Sequence, residues 1–219
     1  MPPVSFDREH MYTNRITHIL GRRKKNLPKL CWYFTDILRR GNEFDIIKSG
    51  GDFMNQNETA YFAGGCFWCI TPAFRELPGV SDVVSGFSGG EEENPDYLDV
   101  KYQRTGHRET IRIDYDPAQV EFRQLMDIFL GSVDPFDPDG QFIDRGFSYT
   151  LAVYYVSEAQ RAAAEARIAE LEQISGQKAY VPVEPFRSFW AAGEEHQDYY
   201  RKNPDAFRKE LVESGRVKG

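Results

Sequence analysis

The sequence predicts an α/β domain of the α+β kind, with a mixed sheet and helices in two layers. Three observations predict it: short apolar segments that alternate with period two, helical segments with apolar residues every third or fourth position lying between them, and Gly- or Pro-containing breaks separating the two kinds. A chain of 219 residues has room for one ordinary domain with an appendage or for two small domains, and one core is the simpler reading.

Residues 1–54 are read as an N-terminal extension. They hold a basic run, Arg22-Arg23-Lys24-Lys25, and an aromatic cluster, Cys31-Trp32-Tyr33-Phe34, without sustained periodicity. Gly50-Gly51-Asp52 and Asn55-Gln56-Asn57 make a polar boundary, and Met54 is a candidate natural start for a domain occupying 55–219. From Thr59 the pattern is strand, tight turn, helix: Ala60-Tyr61-Phe62-Ala63, then Gly64-Gly65, then a helix from Cys66 towards Leu77 that Pro78-Gly79 stops and Pro72 kinks or shortens. Residues 80–86 read as a second strand. Ser85-Gly86-Phe87-Ser88-Gly89-Gly90, followed by acidic residues 91–93, reads as a surface loop.

Residues 110–115 alternate as a strand, and Asp116-Pro117 is expected to open a helix with Phe122, Leu125, Ile128 and Phe129 on one face. Residues 134–146 form a Pro-, Gly- and Asp-rich connection of the length that often carries function. Residues 149–156 follow as a strand. Ser157-Glu158-Ala159-Gln160 is a capping box opening a helix to about Ser175, where Gly176 closes it, and residues 181–189 look extended.

Charge and composition exclude several functions. The formal net charge of −7 argues against a nucleic-acid partner, because phosphate binding needs a surplus of Lys and Arg. That charge is uneven: residues 1–53 carry ten Lys or Arg against six Asp or Glu, and residues 54–219 carry seventeen against twenty-eight. With 28% charged residues and a mean hydropathy of −0.57, no apolar run approaches the roughly 20 residues that span a bilayer, so no membrane partner is expected. Three cysteines are too few for a disulfide scaffold and suit a reducing compartment. The first residues lack the pattern of a secretory signal, so cytoplasm is the expected location.

Cys66 is the candidate nucleophile. At the start of a helix its thiolate would meet unpaired backbone N–H groups and the positive end of the dipole, and Gly64-Gly65 would let the chain turn sharply beneath it. The alternative is a buried cysteine acting as a small hydrophobe. Phe67 and Trp68 either wall an apolar, methyl-sized pocket or pack under the helix. Cys69 completes a Cys-x-x-Cys, one helical turn away and able to form a disulfide. Zinc would want four ligands, and with no second Cys pair no metal is expected. Glu109 shares a strand face with Ile111, Ile113 and Tyr115, while Arg108, Thr110, Arg112 and Asp114 point outward. Burial would raise its pKa and make it a proton donor near neutral pH; the alternative is a strand-end Glu paired with an Arg.

Gly64-Gly65-Cys66-Phe67-Trp68-Cys69, with Leu77-Pro78-Gly79-Val80 and Ser85-Gly86-Phe87-Ser88-Gly89-Gly90 behind it, resembles the peptide methionine sulfoxide reductase A family. Asn94-Pro95-Asp96-Tyr97, Thr105-Gly106-His107-Arg108-Glu109, Asp114-Tyr115-Asp116-Pro117, Gly140-Gln141-Phe142-Ile143-Asp144-Arg145-Gly146 and Glu195-His196-Gln197-Asp198-Tyr199-Tyr200 continue the resemblance over about residues 60–205. The resemblance implies a ferredoxin-like sandwich and reduction of the S epimer of methionine sulfoxide, free or in proteins. It also implies roles. Cys66 attacks the sulfoxide sulfur and becomes a sulfenic acid; Glu109 protonates the oxygen, with Tyr97 and Tyr149 hydrogen-bonding it. Phe67 and Trp68 hold the substrate methyl, and Asp144 places its polar part. His107 and His196 are left outside the site, and Tyr199 or Tyr200 is expected to edge the pocket. No cofactor is implied, and a monomer is expected.

Many members of that family carry a resolving cysteine in the C-terminal tail, and here no cysteine follows Cys69. Turnover is then completed by Cys69, by direct reduction with thioredoxin or a small thiol, or by Cys31; Cys69 is favoured. The competing activity is that of a thioredoxin-like disulfide oxidoreductase, suggested by the same Cys-x-x-Cys. A thiol-containing binding module is the non-enzymatic alternative.

Overall fold

Residues 57–217 are described in the computed structural model; the extension read over 1–54, with Cys31 and Met54, lies outside them. The strands β1 (Glu58–Gly64), β2 (Val80–Ser88), β3 (Arg108–Tyr115), β6 (Leu151–Tyr155), β7 (Val183–Pro185) and β8 (Phe189–Ala191) form one sheet of order β7-β6-β1-β3-β2-β8. Only β6 and β7 are parallel, so the sheet is mixed. A separate hairpin, β4 (Gly140–Gln141) and β5 (Asp144–Arg145), sits inside the long connection.

Period-two alternation puts Phe62, Val83, Phe87, Ile111, Ile113, Leu151 and Val153 on one face, and all are buried in the main core. Two helices cover that face. In α4 (Phe122–Ser132), Leu125 and Phe129 are fully buried, and Phe129 stacks on Phe62 at 4.8 Å between ring centres. α5 (Glu158–Ser175) packs beside α4, where buried Arg167 meets Asp127. The other face carries a smaller cluster of Ala63, Ala152 and Tyr154, and Phe186 crosses it to stack on Tyr61 at 4.1 Å.

Several boundaries differ from the sequence expectation, each for a local reason. The helix after Cys66 is two short ones, α1 (Phe67–Ile70) and α2 (Pro72–Arg75), because Pro72 cannot continue the backbone ladder and instead starts the second. Ser85, Gly86, Phe87 and Ser88 are buried strand rather than surface loop, since β8 pairs along them; a Cβ on Gly86 would lie 2.3 Å from the Trp190 carbonyl oxygen. Asp116-Pro117 makes a turn in which the Asp116 carboxylate accepts from the Ala118 N–H. The helix begins at Phe122, where Glu121 and Gln124 form a capping box.

Residues 147–149 are a 3-10 turn ahead of β6. Ser157 caps α5 by accepting from Gln160 N–H, and the Gln160 side chain reaches back to Val156 rather than to Ser157. Residues 181–189 split into β7 and β8 on opposite edges of the sheet. Arg108 and Thr110, expected outward, are buried on the second face, where Arg108 hydrogen-bonds Tyr154 Oη and pairs with Glu184. Two C-terminal helices, α6 (Tyr199–Lys202) and α7 (Pro204–Glu213), have no counterpart in the expectation. Among the described residues no helix is long and apolar enough to cross a membrane.

Candidate active site

Antiparallel pairing gathers the candidate residues at one end of the sheet. The chain leaves β1 at Gly64, paired with Leu151 at the start of β6, and β3 begins beside it at Arg108 opposite the end of β2. Cys66 follows β1, Glu109 is the second residue of β3, Tyr149 precedes β6, and Tyr97 starts the helix α3 (Tyr97–Lys101) reached from β2. Gly65 turns the chain with φ +73°, and any Cβ there would lie 2.6 Å from the Gln141 side chain.

Cys66 caps α1, so the first helical N–H belongs to Phe67, and it donates to Glu109 Oε2 at 3.0 Å rather than to a sulfur. Glu109 is 2% exposed. Burial pushes its pKa up to about 8, helped by Asp144 and Glu210 and opposed by the Phe67 N–H bond. The expected inward-facing, proton-bearing carboxyl is therefore present, and among the described residues no Arg pairs with it. The expected helix-stabilised thiolate is not. A hydrogen bond with Cys69, burial and the nearby Glu210 carboxylate hold the Cys66 thiol well above its ordinary range, and a four-residue helix offers little dipole to offset them.

Aromatic rings line the approach. Phe67 is fully buried against Phe87, while Trp68 is partly buried and stacks on Tyr199 at 3.9 Å. His196 packs on Tyr97 at 4.1 Å and on Trp68 at 5.7 Å. Burial raises the pKa of both Tyr97 and Tyr149, which keeps their hydroxyls as donors. Asp144 is also raised by burial, and Arg216 at 3.6 Å works against that rise. His107 lies after α3, just before β3, where it accepts from the Gly90 N–H and bonds the Glu92 carbonyl.

The C-terminal segment completes the site. Glu210 Oε1 lies 3.2 Å from Cys66 Sγ and 3.6 Å from Cys69 Sγ and accepts from both; Phe207 and Leu211 pack against the same cysteines. Neither Glu210 nor Arg216 was indicated by the motifs. Asn203-Pro204 and the Phe207/Leu211 spacing could have flagged the helix, but nothing local says where it docks. Cys66, Cys69 and Glu210 place three donor atoms within 4.8 Å, one short of a structural zinc set, and hydrogen bonds among them already account for the spacing.

Two free thiols beside a proton-bearing carboxyl and two phenol donors define a thiol-dependent oxidoreductase. A family model described as peptide methionine sulfoxide reductase matches residues 58–218. Peptide methionine sulfoxide reductase MsrA of Halalkalibacterium halodurans is 45% identical over 73% of this chain and 92% of its own length, and MsrA 2 of Staphylococcus aureus is 42% identical over 73% and 91%. Among solved structures, methionine sulfoxide reductase A of Corynebacterium diphtheriae superposes with a TM-score of 0.62 at 30% identity, covering 70% of this chain and 77% of that one. Reduced Mxr1 from Saccharomyces cerevisiae gives 0.63 at 26%, covering 72% and 92%. The chain belongs to the peptide methionine sulfoxide reductase family, and it is an enzyme that reduces methionine sulfoxide.

Proposed function

We propose that the enzyme takes the S epimer of methionine sulfoxide, free or in proteins, with Cys66 as nucleophile and Glu109 as acid. The buried carboxyl of Glu109 carries this assignment: one oxygen is engaged by the Phe67 N–H, and a pKa of about 8 keeps a proton on the group at neutral pH. Cys66 sulfur attacks the sulfoxide sulfur as Glu109 protonates the departing oxygen. That oxygen passes to Cys66 Sγ, leaving a sulfenic acid and releasing methionine. Tyr97 and Tyr149 donate hydrogen bonds to the oxygen, Trp68 backed by Phe67 holds the methyl group, and Asp144 binds the polar part of the substrate. Cys69 then attacks Cys66 Sγ, forming a disulfide and expelling water, and thioredoxin reduces the disulfide. Closeness of both sulfurs to one Glu210 oxygen supports Cys69 in that role.

The finer fold description is ferredoxin-like, supported by the order β6-β1-β3-β2 within a β-α-β-β-α-β run. The catalytic domain comprises residues 55–219, with 1–54 an extension to it, and the protein acts as a cytoplasmic monomer. The test is incubation with a racemic methyl aryl sulfoxide followed by chiral analysis of what remains. Loss of the S enantiomer alone is expected, with no activity in Cys66→Ser and no reduction of insulin disulfides; consumption of both enantiomers, or an active Cys66→Ser, refutes the assignment.

A further inference from the structure

Sulfoxide reduction needs Cys66 as a thiolate, because the thiol is a weak nucleophile. Yet this thiol is protonated at rest, so a group must receive its proton as the attack proceeds. Glu109 is itself protonated and its proton is destined for the sulfoxide oxygen. Tyr97 and Tyr149 are protonated donors, and Asp144 is paired with Arg216. Besides the other cysteine, Glu210 is the side chain that accepts a hydrogen bond from either sulfur among the described residues.

Its placement is built rather than incidental. Phe207, Glu210 and Leu211 share one face of α7 through their i, i+3 and i+4 spacing, so the carboxylate sits between two apolar anchors on the face that seals the cysteines. A Glu on a docking face breaks the apolar pattern, and such local inconsistencies cluster at working sites.

We infer that Glu210 is a catalytic proton acceptor that serves both sulfurs in turn, drawing the proton from Cys66 during attack and from Cys69 during resolution. This rests on the proposed roles of Cys66, Glu109 and Cys69. In the first step the Cys66 proton moves to Glu210, the Glu109 proton moves to the sulfoxide oxygen, and the products are the thioether and the Cys66 sulfenic acid. In the second, Glu210 gives its proton to the leaving hydroxyl and takes that of Cys69. The sulfur–sulfur bond forms, the sulfur–oxygen bond breaks and water departs. Glu210 ends protonated and Glu109 ionised; proton exchange with solvent resets both, and a dithiol reductant supplies the two electrons that reopen the disulfide.

Rapid-quench measurement of one turnover without reductant tests this on the full chain. Glu210→Gln should slow methionine formation by roughly 10²-fold, the scale of a lost general base. Iodoacetamide alkylation of Cys66 should meanwhile hold or quicken, because removing a neighbouring negative charge favours the thiolate. Added formate should restore rate to Glu210→Ala, and Glu210→Asp should retain part of it. A single-turnover rate unchanged in Glu210→Gln overturns the inference. So does a slowdown that formate does not relieve and that alkylation shares, since that pattern belongs to a purely structural contact. An inactive Cys66→Ser alongside an unimpaired Glu210→Gln defeats only this inference, whereas an active Cys66→Ser defeats the reading beneath it.

Discussion

Replacing Glu109 by Gln separates the proton that the side chain delivers from the hydrogen bond that holds it. The amide oxygen of Gln can still accept from the Phe67 N–H, 3.0 Å from Glu109 Oε2, but the amide cannot give up a proton to a sulfoxide. Loss of a general acid predicts a fall in single-turnover rate of about 10²–10⁴-fold. Stability should move the other way. Glu109 rises from its ordinary 4.5 to about 8 in the folded protein, so between those values the folded state keeps a proton that the unfolded chain has released. Raising the pH through that window therefore favours unfolding of the parent.

At about 1.4 kcal/mol per pH unit, the cost is on the order of 3 kcal/mol at pH 7 and levels off near 5 kcal/mol above pH 8. A neutral Gln carries no such cost. The assay is urea unfolding of parent and Glu109→Gln from pH 5 to 9, in which titrating groups not coupled to Glu109 cancel in the difference. The variant should gain on the parent steadily up to about pH 8 and then run parallel to it. A difference that stays flat across the range would falsify the assignment of a neutral, buried Glu109.

Three further outcomes follow from named contacts. Cys69→Ser should still reduce one sulfoxide per enzyme yet lose thioredoxin-dependent turnover; unchanged steady-state turnover sinks Cys69 as the resolving thiol. Arg216→Met removes the partner 3.6 Å from Asp144, and KM should rise roughly tenfold, equivalent to about 1.4 kcal/mol of lost substrate binding; an unaltered KM means that Asp144 does not touch substrate. Gly65→Ala forces a side chain into φ +73° and against Gln141, so thermal unfolding should show a loss of about 1–2 kcal/mol together with reduced activity, and a fully stable variant contradicts the geometry of the turn.

The local features of this enzyme were written within a few residues of one another. Period-two alternation alone turned Glu109 towards the core with Ile111 and Ile113, because side-chain direction on a strand follows from backbone geometry. Gly64-Gly65 before Cys66 likewise foretold the turn that carries the cysteine, and Ser157 with Gly176 marked the ends of α5. Element boundaries strayed where a neighbour from elsewhere decided them, as where β8 makes strand of Ser85 to Ser88.

The protonation state of Cys66 depended on the tertiary structure entirely. A helix start alone suggests a lowered thiol pKa. A hydrogen bond with Cys69, burial and the Glu210 carboxylate, brought from the C-terminal helix, raise it. Glu210 and Arg216 stand outside every motif, and only the docking of the C-terminal segment gives them cysteines and Asp144 to act on. Backbone direction is set by a residue and its immediate neighbours, whereas desolvation and charge depend on which distant segments fill the surrounding space.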